Sequence, residues 1–219
     1  MDIVDLLQDV QQVVRRCPLP TLTQAYLRSA RQFCTQTRWL RRSVLAETVE
    51  SELELPLLLE SADADLEIIA VRRIIISTLQ TGREQSWTIT PSDSTTWRPQ
   101  DPPGRPRTYD YVPEAAVAFH PLPDAAYGVD ALVQVTPKRM ATTLPEDLLT
   151  KWEYALADGA TEYLLNIPGQ AWSNPALAKA KYGTEFRAAI NNARADEQRA
   201  YNTGTVFSRI PPKFGYYRR

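Results

Sequence analysis

Clustered carboxylates are the residues in this chain whose types and spacing could do chemistry. Between Leu45 and Val71 there is no lysine or arginine, while Glu47, Glu50, Glu52, Glu54, Glu60, Asp63, Asp65 and Glu67 all occur. Closely set acids can hold magnesium for phosphodiester cleavage, so a metal-dependent nuclease is the enzymatic candidate. A nuclease of the restriction-enzyme type wants an acid, one spacer and a lysine after a strand. No Asp/Glu-x-Lys triplet occurs in the chain, and the acids read better as an exposed face of strands and their turn. The single histidine, His120, lies in a Phe-His-Pro strand end and reads as structural. Paired Cys-x-x-Cys ligands, histidine-rich metal sites and the glycine-rich nucleotide-binding loops are all absent from the sequence. The expectation is a protein without enzymatic activity, catalytic residues, metal ligands or cofactor.

Composition bounds the class. A chain of 219 residues with 43% hydrophobic content suits one domain, or one domain carrying a substantial insertion. A formal net charge of -1 gives no global pull toward nucleic acid or anionic membrane. Two cysteines, Cys17 and Cys34, are too few for a disulfide framework and read as buried thiols in a reducing compartment. No signal peptide is visible, and the most apolar run, Leu66 to Leu79, is broken by Arg72-Arg73 and cannot span a bilayer. A soluble intracellular product is expected.

The elements that must position these residues follow from periodicity. Asp2 to Cys17 carries an apolar stripe of helical spacing, Pro18-Leu19-Pro20 ends it, and Thr21 or Thr23 restarts a second helix to about Thr37. The short connection predicts an antiparallel hairpin. Strands are predicted at Glu52–Pro56, across the β-branched run Ile68–Ile76, at Trp87–Ile89, Tyr109–Tyr111 and Ala116–His120, and from Tyr127 to Thr136. Ser92 to Tyr109 reads as a long exposed loop. Thr143-Leu144-Pro145-Glu146 predicts a capped helix start with Thr143 as the cap, and its stripe runs to Ile167 before Pro168-Gly169. Ser173-Asn174-Pro175 predicts another start, for a helix reaching Tyr201.

The fold class expected is α+β. Residues 1–42 form an N-terminal helical hairpin and residues 141–201 a C-terminal helix pair, together a four-helix bundle. Residues 43–140 are a β-rich insertion and residues 202–219 an extended C-terminal arm. Arg28, Arg31, Arg38, Arg41 and Arg42 make one end of the hairpin basic. A helix-turn-helix DNA reader is one interpretation; a solvated face or an interface with an acidic neighbour is the preferred one. The arm holds Phe207, Arg209, Ile210, Phe214, Tyr216, Tyr217, Arg218 and Arg219, with Lys213 and no acid. Pro211-Pro212 favours an extended course. It can lie on its own domain or, as preferred here, insert into a partner, where aromatic and arginine anchors carry binding energy.

This order of parts resembles the head-to-tail adaptor proteins of tailed bacteriophages across nearly the whole chain. Leu122-Pro123-Asp124-Ala125-Ala126-Tyr127, Ala141-Thr142-Thr143-Leu144-Pro145 and Ala171-Trp172-Ser173-Asn174-Pro175 are similar to stretches in short-tailed and prophage-encoded members. The resemblance implies a structural virion protein at the neck, assembled in the host cytoplasm as a ring beneath the portal. Twelve copies would be usual. Implied partners are the portal protein, a downstream tail or nozzle protein, and genomic DNA passing through the channel without sequence-specific binding; no membrane is involved. The arm from Phe207 to Arg219 would reach the portal. The acidic insertion, with Trp97 in its loop, would face a neighbouring subunit or the tail, and charge segregation suggests that Arg38, Arg41 and Arg42 on one subunit complement the acidic strands with Glu52 and Glu54 on the next. Another neck component, a terminator or nozzle, is the alternative.

Overall fold

The β-branched run from Ile68 to Ile76 forms most of one long strand, on which two others pair. A computed structural model describes residues 1–78, 85–92, 102–112 and 116–201. Seven strands are present among them: β1 (Arg41–Glu47), β2 (Glu54–Pro56), β3 (Leu66–Thr78), β4 (Gln85–Pro91), β5 (Thr108–Val112), β6 (Ala116–His120) and β7 (Gly128–Pro137). They form one mixed sheet in the order β1-β7-β3-β4-β5-β6-β2. Neighbours run antiparallel except β4 and β5, which pair in parallel at Thr90–Thr108 and Pro91–Tyr109. The alternation expected from Tyr127 onward is realised in β7, where Val129, Ala131, Val133 and Val135 are buried. Two register shifts interrupt β3, between Ile68 and Ala70 and between Val71 and Arg73. Extra residues of this kind bend a strand and increase its twist, and the sheet is curled.

The helices are α1 (Gln8–Val13), α2 (Leu19–Thr37), α3 (Glu146–Leu165), a single turn α4 (Pro175–Leu177) and α5 (Gly183–Tyr201). A π-helical turn, Ala178–Tyr182, leads into α5. Helix α2 packs on α3 and α5 and also on β7. At the junction of the three long helices, Phe33 meets Trp152 with ring centroids 5.1 Å apart and Phe186 at 6.5 Å.

This arrangement overturns the four-helix bundle with a β-rich insertion. Phe33 and Leu156 from the helices share one hydrophobic core with Ile74, Phe119 and Val133 from the sheet. An amphipathic stripe requires that a face be covered, and either a helix or a sheet can cover it. In α2 both do. The N-terminal segment differs as well: a 3-10 turn, Ile3–Leu6, and the six-residue α1 replace the one helix expected over Asp2–Cys17. Its apolar side chains Ile3, Leu6, Leu7, Val10, Val14 and Cys17 are buried nonetheless.

Of the two helix starts, the second forms as expected. Asn174 caps α4 by accepting from the Leu177 N–H at 3.1 Å, with Pro175 in the first turn. The first does not: Pro145 occupies the cap position of α3 without a side-chain cap bond. Thr143 is drawn away to Asp65, whose carboxylate accepts from its N–H at 2.9 Å and its hydroxyl at 2.7 Å.

Candidate interaction site

The charged residues singled out from the sequence divide into those spent inside the chain and those left on its surface. Arg42, the second residue of β1, bridges two elements: its Nε donates to Asp63 at 2.8 Å and its Nη1 to Asp147 of α3 at 2.9 Å. Partial burial disfavours the charged guanidinium, but the hydrogen bonds to Asp147 and Asp63 outweigh it and hold the Arg42 pKa above its ordinary value. Arg41 pairs with Glu197 of α5 at 3.1 Å, and Arg72 of β3 engages the same carboxylate. Glu197 therefore ties the last turns of α5 to two strands. Both arginines lie on the sheet; neither ends a helical hairpin. Arg38 is the left-handed C-cap of α2, with φ 53°, and is exposed.

The acids expected as one face are separated by their partners. Asp63 belongs to Arg42, and Glu67 accepts from Arg31 at 3.0 Å. Asp65 receives N–H and hydroxyl hydrogen bonds from both Thr142 and Thr143. Among the described residues no group of three or more His, Cys, Asp or Glu side chains is placed to hold a metal ion. Glu52 and Glu54 remain exposed, with Glu54 opening the edge strand β2. Trp97 and the arm residues Phe207, Arg209, Ile210, Phe214, Tyr216, Tyr217, Arg218 and Arg219 lie outside the described residues.

His120 is buried with its Nε2 3.0 Å from Asp110 Oδ2 on the neighbouring strand. Cys17 and Cys34 are unbridged and buried. Burial, with Asp147 nearby, pushes the Cys34 thiol up to about 12, far from a reactive thiolate. Among the described residues no helix is long and apolar enough to cross a membrane.

Two exposed features have the character of interaction surfaces. A groove of about 1060 Å³ runs along the outer face of α2 and is lined by Arg28, Arg31, Arg139, Met140 and Tyr163. The Arg28 guanidinium lies 4.2 Å from the centre of the Tyr163 ring. On the sheet, the turn from Thr48 to Glu54 displays Glu50, Glu52 and Glu54 to solvent. Sequence reasoning noted Arg28 and Arg31 but placed them on one surface with Arg41 and Arg42. It missed Asp147 and Glu197, because nothing local ties an acid on a C-terminal helix to an arginine on β1.

A family model described as SU10 adaptor protein matches residues 1–207 of the chain. No curated protein matches it.

Proposed function

Because the chain belongs to the SU10 adaptor protein family, an adaptor family of phage origin, we propose that it is the head-to-tail adaptor of a tailed-phage virion. Copies form a ring beneath the portal, twelve to match its symmetry, which extends the DNA channel and presents a platform to the next tail or nozzle protein. The observation that carries this is the family match over residues 1–207, nearly the whole chain. The role is structural and needs no catalytic group. The folded body supplies the ring wall and assembles in the host cytoplasm before taking its place at the neck.

The arm after Tyr201 is the portal contact. Its side chains Phe207, Ile210, Phe214, Tyr216 and Tyr217 offer apolar anchors, and Arg209, Lys213, Arg218 and Arg219 offer cations, with no acid among residues 202–219. The Glu197 ion pairs with Arg41 and Arg72 support this reading, since they fix the helix from which the arm departs. Deleting residues 205–219 should leave thermal unfolding of the body unchanged within about 2 °C, because in this reading the arm's anchors pack on the portal and not on the body. Co-sedimentation with portal rings should be lost. Binding retained by the truncated chain would remove the arm from the proposal.

A further inference from the structure

We propose that neighbouring copies join by seating the Thr48–Glu54 turn of one in the α2 groove of the next; this rests on the adaptor-ring reading. The turn is a preformed knob. Thr48 is buried, its N–H donating to the Tyr127 carbonyl at 2.9 Å and its hydroxyl oxygen accepting from the Tyr127 N–H at 2.9 Å. Ser51, in the left-handed region at φ 64°, donates its N–H to the Pro123 carbonyl at 2.9 Å. On this anchored loop Glu50, Glu52 and Glu54 are exposed, and beside them Val49 is 53% and Leu53 37% exposed. The knob therefore offers three carboxylates and two aliphatic side chains with little conformational freedom left to lose.

The groove is its chemical complement. Arg28 and Arg139 supply the available positive charge, Arg31 being held by Glu67, and Met140, 82% exposed, supplies an adaptable apolar contact with Tyr163 in the same lining. Arg139 makes no ion pair among the described residues. Arg28 and Arg139 facing the carboxylates of Glu50, Glu52 and Glu54, with apolar groups alongside, is the pattern that sets register and rejects wrong partners.

Strand β7 separates the two surfaces. The knob is bonded to Tyr127, one residue before β7 begins, and Arg139 and Met140 follow its end at Pro137. Ten residues of strand at about 3.3 Å each put the knob roughly 30 Å from the Arg139 end of the groove on one subunit. A chain cannot fill its own groove, and unlike surfaces at opposite ends make a head-to-tail contact that closes into a ring when the rotation allows. The other occupants fit less well. The basic arm would meet like charge. A nucleic-acid track needs a run of unpaired cations, whereas Arg31 is already held by Glu67 and the groove has an apolar lining.

The test uses full-length protein in particles assembled in infected cells. With Glu52→Cys and Met140→Cys in the same chain, oxidation should link copies into a covalent ladder, and neither substitution alone should. Native Cys17 and Cys34, both buried, do not compete. Arg28→Glu with Arg139→Glu should lower incorporation at the neck on the order of tenfold, and adding Glu50→Lys with Glu52→Lys should restore it. Restoration separates pairing from misfolding. Neck rings that form without a ladder, and without loss on charge reversal, would overturn the pairing and leave the adaptor reading intact. So would intact rings whose only defect on charge reversal is weaker DNA binding. Unaltered particles with no copies of this chain at the neck would overturn the adaptor reading and the pairing with it.

Discussion

Asp65 joins the sheet to the start of α3 by accepting from the N–H and hydroxyl groups of Thr142 and Thr143. The hydroxyl and N–H of Thr143 draw its pKa below the ordinary carboxylate range, against some opposing desolvation, and Thr142 adds to the effect. A carboxyl depressed in the folded state contributes stability above its unfolded pKa, near 3.8, which is lost as pH falls through the folded value. Asp65→Ala should therefore cost about 1 kcal/mol at neutral pH, the net worth of a hydrogen bond discounted for solvent screening at a partly exposed site. In chemical denaturation the gap to the unaltered protein should narrow below pH 3.8. A gap constant from pH 7 to pH 3 would show that Asp65 contributes nothing through its charge. The same residue explains why the capping motif misled. Thr143 has the right type and spacing to cap α3, but a carboxylate distant in sequence competes for it, and local pattern cannot register that competitor.

At the scale of elements, the three long helices meet where Gly159 leaves room. A Cβ there would press on the Ser29 hydroxyl of α2 and lie 2.8 Å from the Phe186 ring of α5, and both side chains are buried. Gly159→Ala gains about 1 kcal/mol of helix propensity and loses about 1–3 kcal/mol to overpacking. The midpoint of thermal unfolding should fall; a raised midpoint would mean that α3 and α5 are not held this closely. Strands other than β1 were legible because β-branched runs and strict alternation, as in Ile74–Ile76 and Val129–Val135, mark a pleated, half-buried surface on their own; Arg41 and Arg42 in β1 read instead as the end of the hairpin. The layer they share with the helices was not legible. The stripe of α2 says that Phe33 and its neighbours are covered, and only the tertiary structure shows α3, α5 and β7 all covering that helix. Charge followed the same rule. Arg41 and Arg42 were recognised as basic, but Glu197 and Asp147, more than 100 residues away, neutralise them within the chain.

Taken whole, the molecule is a curled sheet and a helical layer around one core, with a basic groove and an acidic turn at opposite ends of β7. The family match makes it an adaptor of phage origin. In the proposed ring each surface has its own role. Groove and turn join copies, α5 launches the arm, and the arm meets the portal. Membership was within reach of the sequence because the order of helices, strands and arm, with a few local stretches, resembles the adaptors. The docking surfaces were not, because their residues come from segments as distant as Arg28 and Arg139. The most direct test of the adaptor ring is electron microscopy of the phage neck at a resolution that traces side chains. The account predicts a closed ring of twelve copies between portal and tail. A neck built without this chain, or this chain located elsewhere in the particle, would contradict it.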